Sequence, residues 1–184
     1  MDEVRARLEA RPAGMRPPDE GQRLAAVLVP LFVRDAALHV LFTRRTDTLE
    51  HHRGQISFPG GTAEEGDESL LATALRETEE ELGIRPADVR LLGALAPVNT
   101  TTGFVVEPFV GAIPQPYALT PAPSEIAEVI EAPVAALLDP KALERRLLPD
   151  RDEPTLFYHY GAHVVWGATA RMLKELLDAL APPS

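Results

Sequence analysis

The chain has 184 residues, a formal net charge of −10 at pH 7 and no cysteine. The length suits one domain with a single core, the negative charge argues against a nucleic-acid binder with a general basic surface, and the lack of cysteine excludes disulfides, thiolate catalysis and zinc–thiolate sites. No segment reaches the roughly 20 apolar residues of a membrane span, and the acidic N-terminus is unlike a signal peptide, so we expect a cytoplasmic protein with neither nucleic-acid nor membrane partners.

The first residues predict a lead-in to the main domain. Residues 2–10 have the pattern of a short amphipathic helix, which would end before Pro12. We therefore divide the chain into a lead-in of helix and loop at 1–22 and one domain at 23–182.

Two apolar segments then predict a hairpin. RLAAVLVPLFV (23–33) is almost continuously apolar, which is typical of a strand covered on both faces, and ALHVLFTRR (37–45) would be its partner across the turn RDA. Pro30 lies inside the first segment. Because proline cannot donate a ladder hydrogen bond, it predicts an edge position or a bulge.

The period becomes helical at 67–82. We expect Asp67 to cap the start of this helix and Gly83 to end it. At about 100° per residue, one face of the helix, about 120° from its apolar stripe, carries several carboxylates. These carboxylates are Glu77, Glu80 and Glu81.

The rest of the chain alternates strands and helices without a repeat. This pattern predicts an α/β fold in which a mixed sheet lies between helices. The predicted elements are strands at 89–96 and 103–113 joined by PVNTTT, a Pro-rich loop at 114–123, a strand with a short helical turn at 124–139, a hairpin at 155–167 and a helix at 169–180.

A glycine turn directly precedes the acidic helix. Gly60 and Gly61 follow a short predicted strand and allow the backbone to approach a bound group closely. Clustered carboxylates and a backbone carbonyl offer hard oxygen ligands, which favour Mg²⁺ or Mn²⁺ over zinc or copper. Such ions share their coordination with substrate phosphates, so the predicted chemistry is attack of water on phosphorus.

Arg76 is predicted to position these carboxylates. It directly precedes Glu77 and lies four residues before Glu80. A guanidinium holds a carboxylate in a fixed orientation through paired hydrogen bonds, and metal sites depend on such contacts.

These residues and their spacing resemble the Nudix box, which reads Gly, five residues, Glu, seven residues, then Arg-Glu-(apolar)-x-Glu-Glu-x-Gly-(apolar). RETEEELGI (76–84) matches the second half, with Thr78 in place of the apolar residue. The first half is one residue longer, so either Asp67 or Glu68 fills the first acidic position. The resemblance implies an α/β/α sandwich that hydrolyses a diphosphate bond with Mg²⁺ or Mn²⁺.

A longer upstream stretch resembles the coenzyme A diphosphatase subfamily of Nudix proteins, whose signature is Leu-Leu-Thr-x-Arg-Ser, three residues, Arg, three residues, Gly, three residues, Phe-Pro-Gly-Gly. LFTRRTDTLEHHRGQISFPGG (41–61) retains this spacing, but Thr46 replaces Ser and Glu50 replaces Arg. The extra residue in the box and WGATARML (166–173) also resemble this subfamily. The resemblance implies cleavage of coenzyme A or its derivatives to 3′,5′-ADP and phosphopantetheine, and a homodimer.

Two other functions stay open. The substrate could be ADP-ribose, a dinucleotide polyphosphate or a nucleoside triphosphate, which the reversed charge at Glu50 favours. The domain could also sense a nucleotide without cleaving it, although a pure sensor would not need every acidic residue of the box.

The resemblance also implies roles for the acidic residues. Glu80 and Glu81 would be metal ligands together with Gly61, and Glu77 would be a further ligand or the base that orients water. Many Nudix enzymes use another Glu from a downstream loop, and here we favour Glu125. The other candidates for that role are Glu107 and Glu128.

Three arginines are predicted to bind the substrate phosphates, since an acidic protein needs local positive charge for a polyanion. The arginines are Arg44, Arg45 and Arg53. The alternative for each is a solubilising surface charge.

Trp166 and Tyr158 are predicted to be core aromatics, with adenine stacking as the alternative.

Overall fold

A computed structural model describes residues 1–9, 21–47, 54–149 and 152–181. Among these residues no helix has both the length and the apolar character needed to cross a membrane. The helices are α1 (Asp2–Glu9), α2 (Leu70–Leu82), α3 (Val134–Leu137) and α4 (Gly167–Leu180). The strands are β1 (Arg23–Arg34), β2 (Ala37–Arg45), β3 (Ile56–Ser57), β4 (Gly60–Thr62), β5 (Arg90–Ala94), β6 (Val98–Asn99), β7 (Phe104–Ala112), β8 (Ile126–Pro133), β9 (Leu143–Arg146), β10 (Thr155–Tyr160) and β11 (His163–Trp166).

A mixed sheet forms the centre of the fold, as predicted. Its strands follow the order β3-β2-β1-β7-β5, and β4, β6 and β8 pair with β1, β7 and β2 respectively. The long strands β1 and β7 run parallel, whereas β1 and β2 form the predicted antiparallel hairpin.

The strand β1 is buried on both faces, which explains its nearly continuous apolar sequence. Ala26 and Leu28 pack with Ala74 of α2. Val27 and Val29 belong to the cluster that contains the buried side chains of α1 and α4. The helices therefore cover opposite faces of the sheet, and the predicted sandwich is confirmed.

The prediction that Pro30 marks an edge strand or a bulge is wrong, because β1 lies in the middle of the sheet. One side of β1 pairs with β4 as far as Val27 and with β2 from Leu31 onward. Pro30 lies between these two paired stretches. A residue without an N–H is tolerated there because neither register includes it.

The turn between β1 and β2 holds two non-glycine residues in the left-handed region. Asp35 has φ 50° and Ala36 has φ 59°, and the register pairs Arg34 with Ala37 across a two-residue turn. Such turns favour glycine because a Cβ is strained at positive φ.

We expect Ala36→Gly to raise the free energy of unfolding by about 1 kcal/mol, since it removes this strain. Urea denaturation measures the change. The control is Ala37→Gly, one residue later within β2, where the added chain freedom is expected to lower stability by about 0.5–1 kcal/mol. Equal losses in both variants would show that the turn at Ala36 is unstrained.

The predicted N-terminal helix is confirmed as α1, and it packs on the domain. Val4 and Leu8 are buried in the main core, and Leu8 lies against Gly93 of β5. Arg7 donates to the carbonyl oxygens of Leu180 and Ala181 at the end of α4, at 3.0 and 2.7 Å. The helical part of the lead-in therefore contributes to the core of the domain, while residues 10–20 lie outside the described residues.

A second, three-stranded antiparallel sheet has the order β11-β10-β9. The hairpin of β10 and β11 was predicted, and its turn contains Gly161 at φ 59°. The sequence gives no sign of β9, because LERR (143–146) has no apolar alternation. Part of this small sheet and α4 form one wall of a cleft against the large sheet.

Candidate functional site

The helix α2 begins at Leu70, and Ser69 caps it by accepting the N–H of Ala72 at 3.1 Å. The predicted cap at Asp67 is wrong, because Asp67 lies two residues before the cap and binds other groups. The predicted end is confirmed, since Gly83 has φ 72° and donates its N–H to the backbone carbonyl oxygen of Glu79. The helix therefore carries its carboxylates in a register fixed at both ends.

Asp67 forms a bidentate ion pair with Arg76. The Nε of Arg76 lies 2.9 Å from Oδ1 of Asp67, and Nη2 lies 3.1 Å from Oδ2. The N–H of Glu64 and the hydroxyl of Thr73 also donate to this carboxylate, at 2.9 and 2.8 Å. These contacts, Arg76 first, hold the pKa of Asp67 well below its usual range. Of the two residues considered for the first acidic position, Asp67 contacts Arg76 and Glu68 is exposed.

Arg76 joins Asp67 to the acidic face of the helix. Its Nη1 lies 3.1 Å from Oε1 of Glu77 and 3.4 Å from Oε2 of Glu80. Its Nη2 also donates to the carbonyl oxygen of Thr62, just after the glycine turn, at 3.3 Å. One guanidinium thus connects the turn, the start of the helix and the carboxylates, which fits the positioning role expected from the sequence.

The glycine turn expected at Gly60 and Gly61 is the beginning of strand β4, paired with β1, and it lies directly against this acidic face. The N–H of Gly60 donates to Oε2 of Glu81 at 3.3 Å. A Cβ atom added to Gly61 would overlap the carboxylate of Glu77. Glycine at these positions therefore lets the two carboxylates approach the backbone.

Glu77, Glu80 and Glu81 differ in how far their side chains are buried. The side chain of Glu81 is 4% exposed, whereas that of Glu80 is 59% exposed and lies near Arg76. Burial raises the pKa of Glu81 to about 8, with Glu77 and Glu125 adding repulsion and Arg45 and the N–H of Gly60 opposing the shift. Burial likewise raises the pKa of Glu77, and Arg76 opposes it.

The donor set fits a hard divalent cation. Glu81 is buried and Glu77 partly buried beside two glycines that have no side chains, and such oxygen ligands suit Mg²⁺ or Mn²⁺. Within the part of the chain that the structure describes, no three acidic or histidine side chains converge into one coordination shell. Glu80 is the predicted ligand that the structure leaves on the solvent side.

Arg45 connects this pair to Glu125. Its Nη1 lies 3.7 Å from Oε1 of Glu81, and its Nη2 lies 4.0 Å from Oε2 of Glu125. The backbone holds Glu125 in place, because its carbonyl oxygen accepts the N–H of Thr46 at 2.8 Å. Arg45 and Glu125 therefore both lie near the acidic pair, and their roles in binding phosphate and in catalysis stay predictions.

Two of the other candidates, Arg44 and Glu128, form an ion pair with each other. Arg44 contacts Glu128 at 2.9 Å, and Glu128 also lies 3.3 Å from His163. Glu107 stands on β7 in register with Ala26, and burial raises its pKa. Arg53 and Glu50 lie outside the described residues.

A cleft of about 790 Å³ begins at the glycine turn. Gly60, Gly61 and Arg45 line it, and so do Trp166 at the end of β11 and several residues of α4. Its apolar lining includes Val27, Ile56, Phe104, Val106, Leu156 and Met172.

The two aromatic predictions have different outcomes. Tyr158 is buried in the core, as expected. Trp166 is 46% exposed, so its assignment to the core is wrong. The reason is its position at the junction of β11 and α4, where it ends the small sheet beside the cleft.

Sequence reasoning missed the polar residues of the cleft. The loop Thr100–Thr102 and Arg171 line it, and Arg171 donates to the carbonyl oxygen of Asn99. The run of three threonines was visible as a polar loop. Only the packing of α4 against β6 brings Arg171 to that loop.

We expect Asp67→Asn to lower kcat by about 10- to 100-fold, because Arg76 would lose its charged partner and its orientation toward Glu77. Steady-state hydrolysis measures the loss. Glu68→Gln, which removes the neighbouring exposed charge, is the control and should retain wild-type activity. The reverse ranking of the two variants would show that Glu68 is the residue that supports the site.

Known proteins similar in sequence to this chain carry the Nudix name. A family model described as the NUDIX domain matches residues 22–153. A Photorhabdus laumondii protein named as an uncharacterized Nudix hydrolase NudL is 39% identical over 159 residues, which cover 85% of this chain and 84% of that protein. A protein of the same name from Cronobacter sakazakii is 42% identical over 160 residues, which cover 84% and 81%.

Solved structures share the fold. The NUDIX domain of Shewanella oneidensis NrtR, complexed with ADP ribose, is 25% identical with a TM-score of 0.53, covering 65% of this chain and 78% of that chain. A MutT/nudix family protein from Enterococcus faecalis has a TM-score of 0.56 at 20% identity, covering 90% and 63%. The latter similarity concerns the fold alone.

Proposed function

The chain belongs to the Nudix hydrolase family, and from that membership we propose that it hydrolyses the diphosphate bond of coenzyme A or a coenzyme A derivative, with Mg²⁺ or Mn²⁺ as cofactor. The observation that carries the proposal is the contact of Glu77 and Glu81 with Gly60 and Gly61, two residues that line a cleft. A diphosphate in that cleft would meet the acidic pair only through a cation, since both groups are negatively charged.

The proposed mechanism assigns each group a task. The carbonyl oxygen of Gly61 and the carboxylates of Glu77, Glu80 and Glu81 would hold the cation. A divalent cation bound there supplies charge neutralisation on the phosphate oxygens and activation of water.

The remaining residues orient the reactants and move the proton. Arg76 keeps Glu77 directed toward the turn through their 3.1 Å contact. Arg45, between Glu81 and Glu125, would donate to a phosphate oxygen of the substrate. Glu77 or Glu125 would accept the proton of the attacking water.

The preference for coenzyme A rests on the signature at 41–61. Four residues of that signature, Arg45, Phe58, Gly60 and Gly61, line the cleft. The volume of the cleft lies within the range of sites for small organic ligands.

The test is a panel of substrates with Mg²⁺ or Mn²⁺: coenzyme A, ADP-ribose, diadenosine polyphosphates and ATP, with products identified by mass. We expect 3′,5′-ADP and phosphopantetheine from coenzyme A at the highest kcat/KM. A higher kcat/KM for another substrate would replace coenzyme A but keep the hydrolase. Tight nucleotide binding without cleavage of any substrate would instead support a sensing module.

ADP-ribose is the second candidate substrate. The NrtR NUDIX domain, with a similar fold, binds ADP-ribose. The charge reversal at Glu50 also departs from the coenzyme A signature. In the same panel, release of AMP and ribose 5-phosphate from ADP-ribose would identify this activity.

A further inference from the structure

Trp166 is placed for contact with a ligand. It is the one tryptophan of the sequence, and 46% of it is exposed although it is large and apolar. It ends β11 and immediately precedes α4, so both elements fix its backbone. It also lines the cleft that begins at the glycine turn.

The ring of Trp166 is supported from behind. The ring of Phe157, its partner across the sheet, lies 6.3 Å away at an interplanar angle of 16°. The guanidinium of Arg146 lies over Phe157 at 4.8 Å. This row across the small sheet holds Trp166 at a defined angle, because each group stacks on the next.

The position of β11 determines which side of the ring is available. β11 is an edge strand of the small sheet, next to β10. Phe157 on β10 covers one side of the Trp166 ring, so the other side faces beyond the edge, where β11 borders β3 and the cleft. A flat aromatic ligand in the cleft can therefore stack on a ring that is already oriented.

Polar residues also line this cleft. Thr100, Thr101, Thr102 and Arg171 belong to the same lining as Trp166. A heteroaromatic base needs both a flat apolar surface and hydrogen-bonding partners at its edge. A heteroaromatic base can use both the apolar and the polar residues of this lining, whereas an aliphatic chain can use only the apolar ones.

We infer that Trp166 is the stacking surface for the aromatic base of the nucleotide part of the substrate, in the same cleft that Gly60 and Gly61 line. The inference rests on the proposed function, because it takes the diphosphate to lie beside the glycine turn. It gives the cleft a direction, with the base at Trp166 and the scissile bond at the acidic pair. Trp166 would determine affinity for the nucleotide and take no part in the chemical step.

The presence of one tryptophan allows a direct test. We expect ADP to change the intrinsic fluorescence of the wild-type protein in a saturable way, because the base would stack on the only indole. Ribose 5-phosphate and phosphopantetheine, which have no base, should leave the fluorescence unchanged at the same concentrations. No change with ADP, or an equal change with phosphopantetheine, would overturn the inference.

Variants provide the second measurement. We expect Trp166→Leu to weaken ADP binding by about 10-fold in calorimetry and to raise KM for the cleaved substrate while kcat stays near the wild-type value. Trp166→Phe, which keeps a flat ring, should bind ADP close to wild type. Leu147→Ala removes another exposed apolar side chain and is the control.

The outcomes separate this inference from the proposed function. ADP binding needs no cleavage, so base-dependent fluorescence in a protein that hydrolyses none of the panel would sustain the inference and reject the hydrolase. If the wild-type protein hydrolysed a substrate of the panel while Trp166→Leu bound ADP with wild-type affinity, the hydrolase would be supported and the inference about Trp166 rejected. Circular dichroism checks that the variant is folded, and the wild-type fluorescence titration tests the inference without any variant.

Discussion

Replacing Glu81 with glutamine is expected to lower kcat/KM by about 10³-fold, because a ligand to the proposed cation would lose its charge. The free energy of unfolding should stay unchanged or rise, since the side chain is buried near Glu77 and Glu125 and a neutral amide costs less to bury than a carboxylate. Glutamine can still accept the N–H of Gly60. Steady-state hydrolysis and urea denaturation measure the two quantities.

The control for Glu81→Gln lies on the same helix. Glu79 is exposed, and Glu79→Gln changes the net charge of the protein by the same amount as Glu81→Gln does. It should keep both activity and stability near wild type. If both variants lost activity equally, the general charge of the helix would matter and the buried position of Glu81 would not.

Replacing Gly61 with alanine is expected to lower kcat by about 10²-fold with little loss of stability. A Cβ at this position would overlap the carboxylate of Glu77, which ends a flexible side chain and can move aside. The displacement would remove Glu77 from its place beside the turn, and shifts of about 1 Å in a catalytic site cost activity on this scale. Kinetics and urea denaturation measure the two effects.

Gly60→Ala is the matched comparison, and its main effect should be on stability. A Cβ on Gly60 would lie 2.6 Å from the Cα of Val27 and overlap the carbonyl oxygen of Ala26, while Gly60 itself has φ 151°. The backbone of β1 cannot move aside as a side chain can, so we expect a loss of about 2 kcal/mol or more. Similar effects of the two variants on stability would contradict this difference between adjacent glycines.

Local patterns were enough to predict the framework of the site. The helical period of 67–82, with Gly83 at its end, indicated where the carboxylates of Glu77, Glu80 and Glu81 would point relative to the apolar stripe. The glycine pair indicated a close approach of the backbone to that face, although Gly60 and Gly61 form the start of β4 and no turn. Each of these features depends on residues close together in sequence, which is why the sequence alone contained them.

Contacts between distant segments were not predictable in the same way. Asp67 was expected to cap α2, but the cap is Ser69 and Asp67 binds Arg76, nine residues later. Which residue caps the helix depends on how the loop before it folds back, and a periodic sequence pattern does not predict this. The burial of Glu81 has the same origin, because the glycine turn and Arg45 on β2 cover it.

The cleft was the least visible part. Its wall depends on the packing of the small sheet and α4 against the large sheet, which no local sequence pattern predicts. A tryptophan in an apolar segment is usually buried, so the expectation for Trp166 followed composition. Trp166 is instead 46% exposed, because it lies at the edge of the small sheet beside the cleft.

Binding of Mn²⁺, followed by electron paramagnetic resonance, tests most directly whether the acidic pair beside Gly60 and Gly61 holds a divalent cation. The comparison is between wild type, the double variant Glu77→Gln/Glu81→Gln and the control Glu79→Gln. We predict that the double variant binds Mn²⁺ at least about 10-fold more weakly and that the control binds as wild type does. Wild-type Mn²⁺ affinity in a folded double variant would contradict the account.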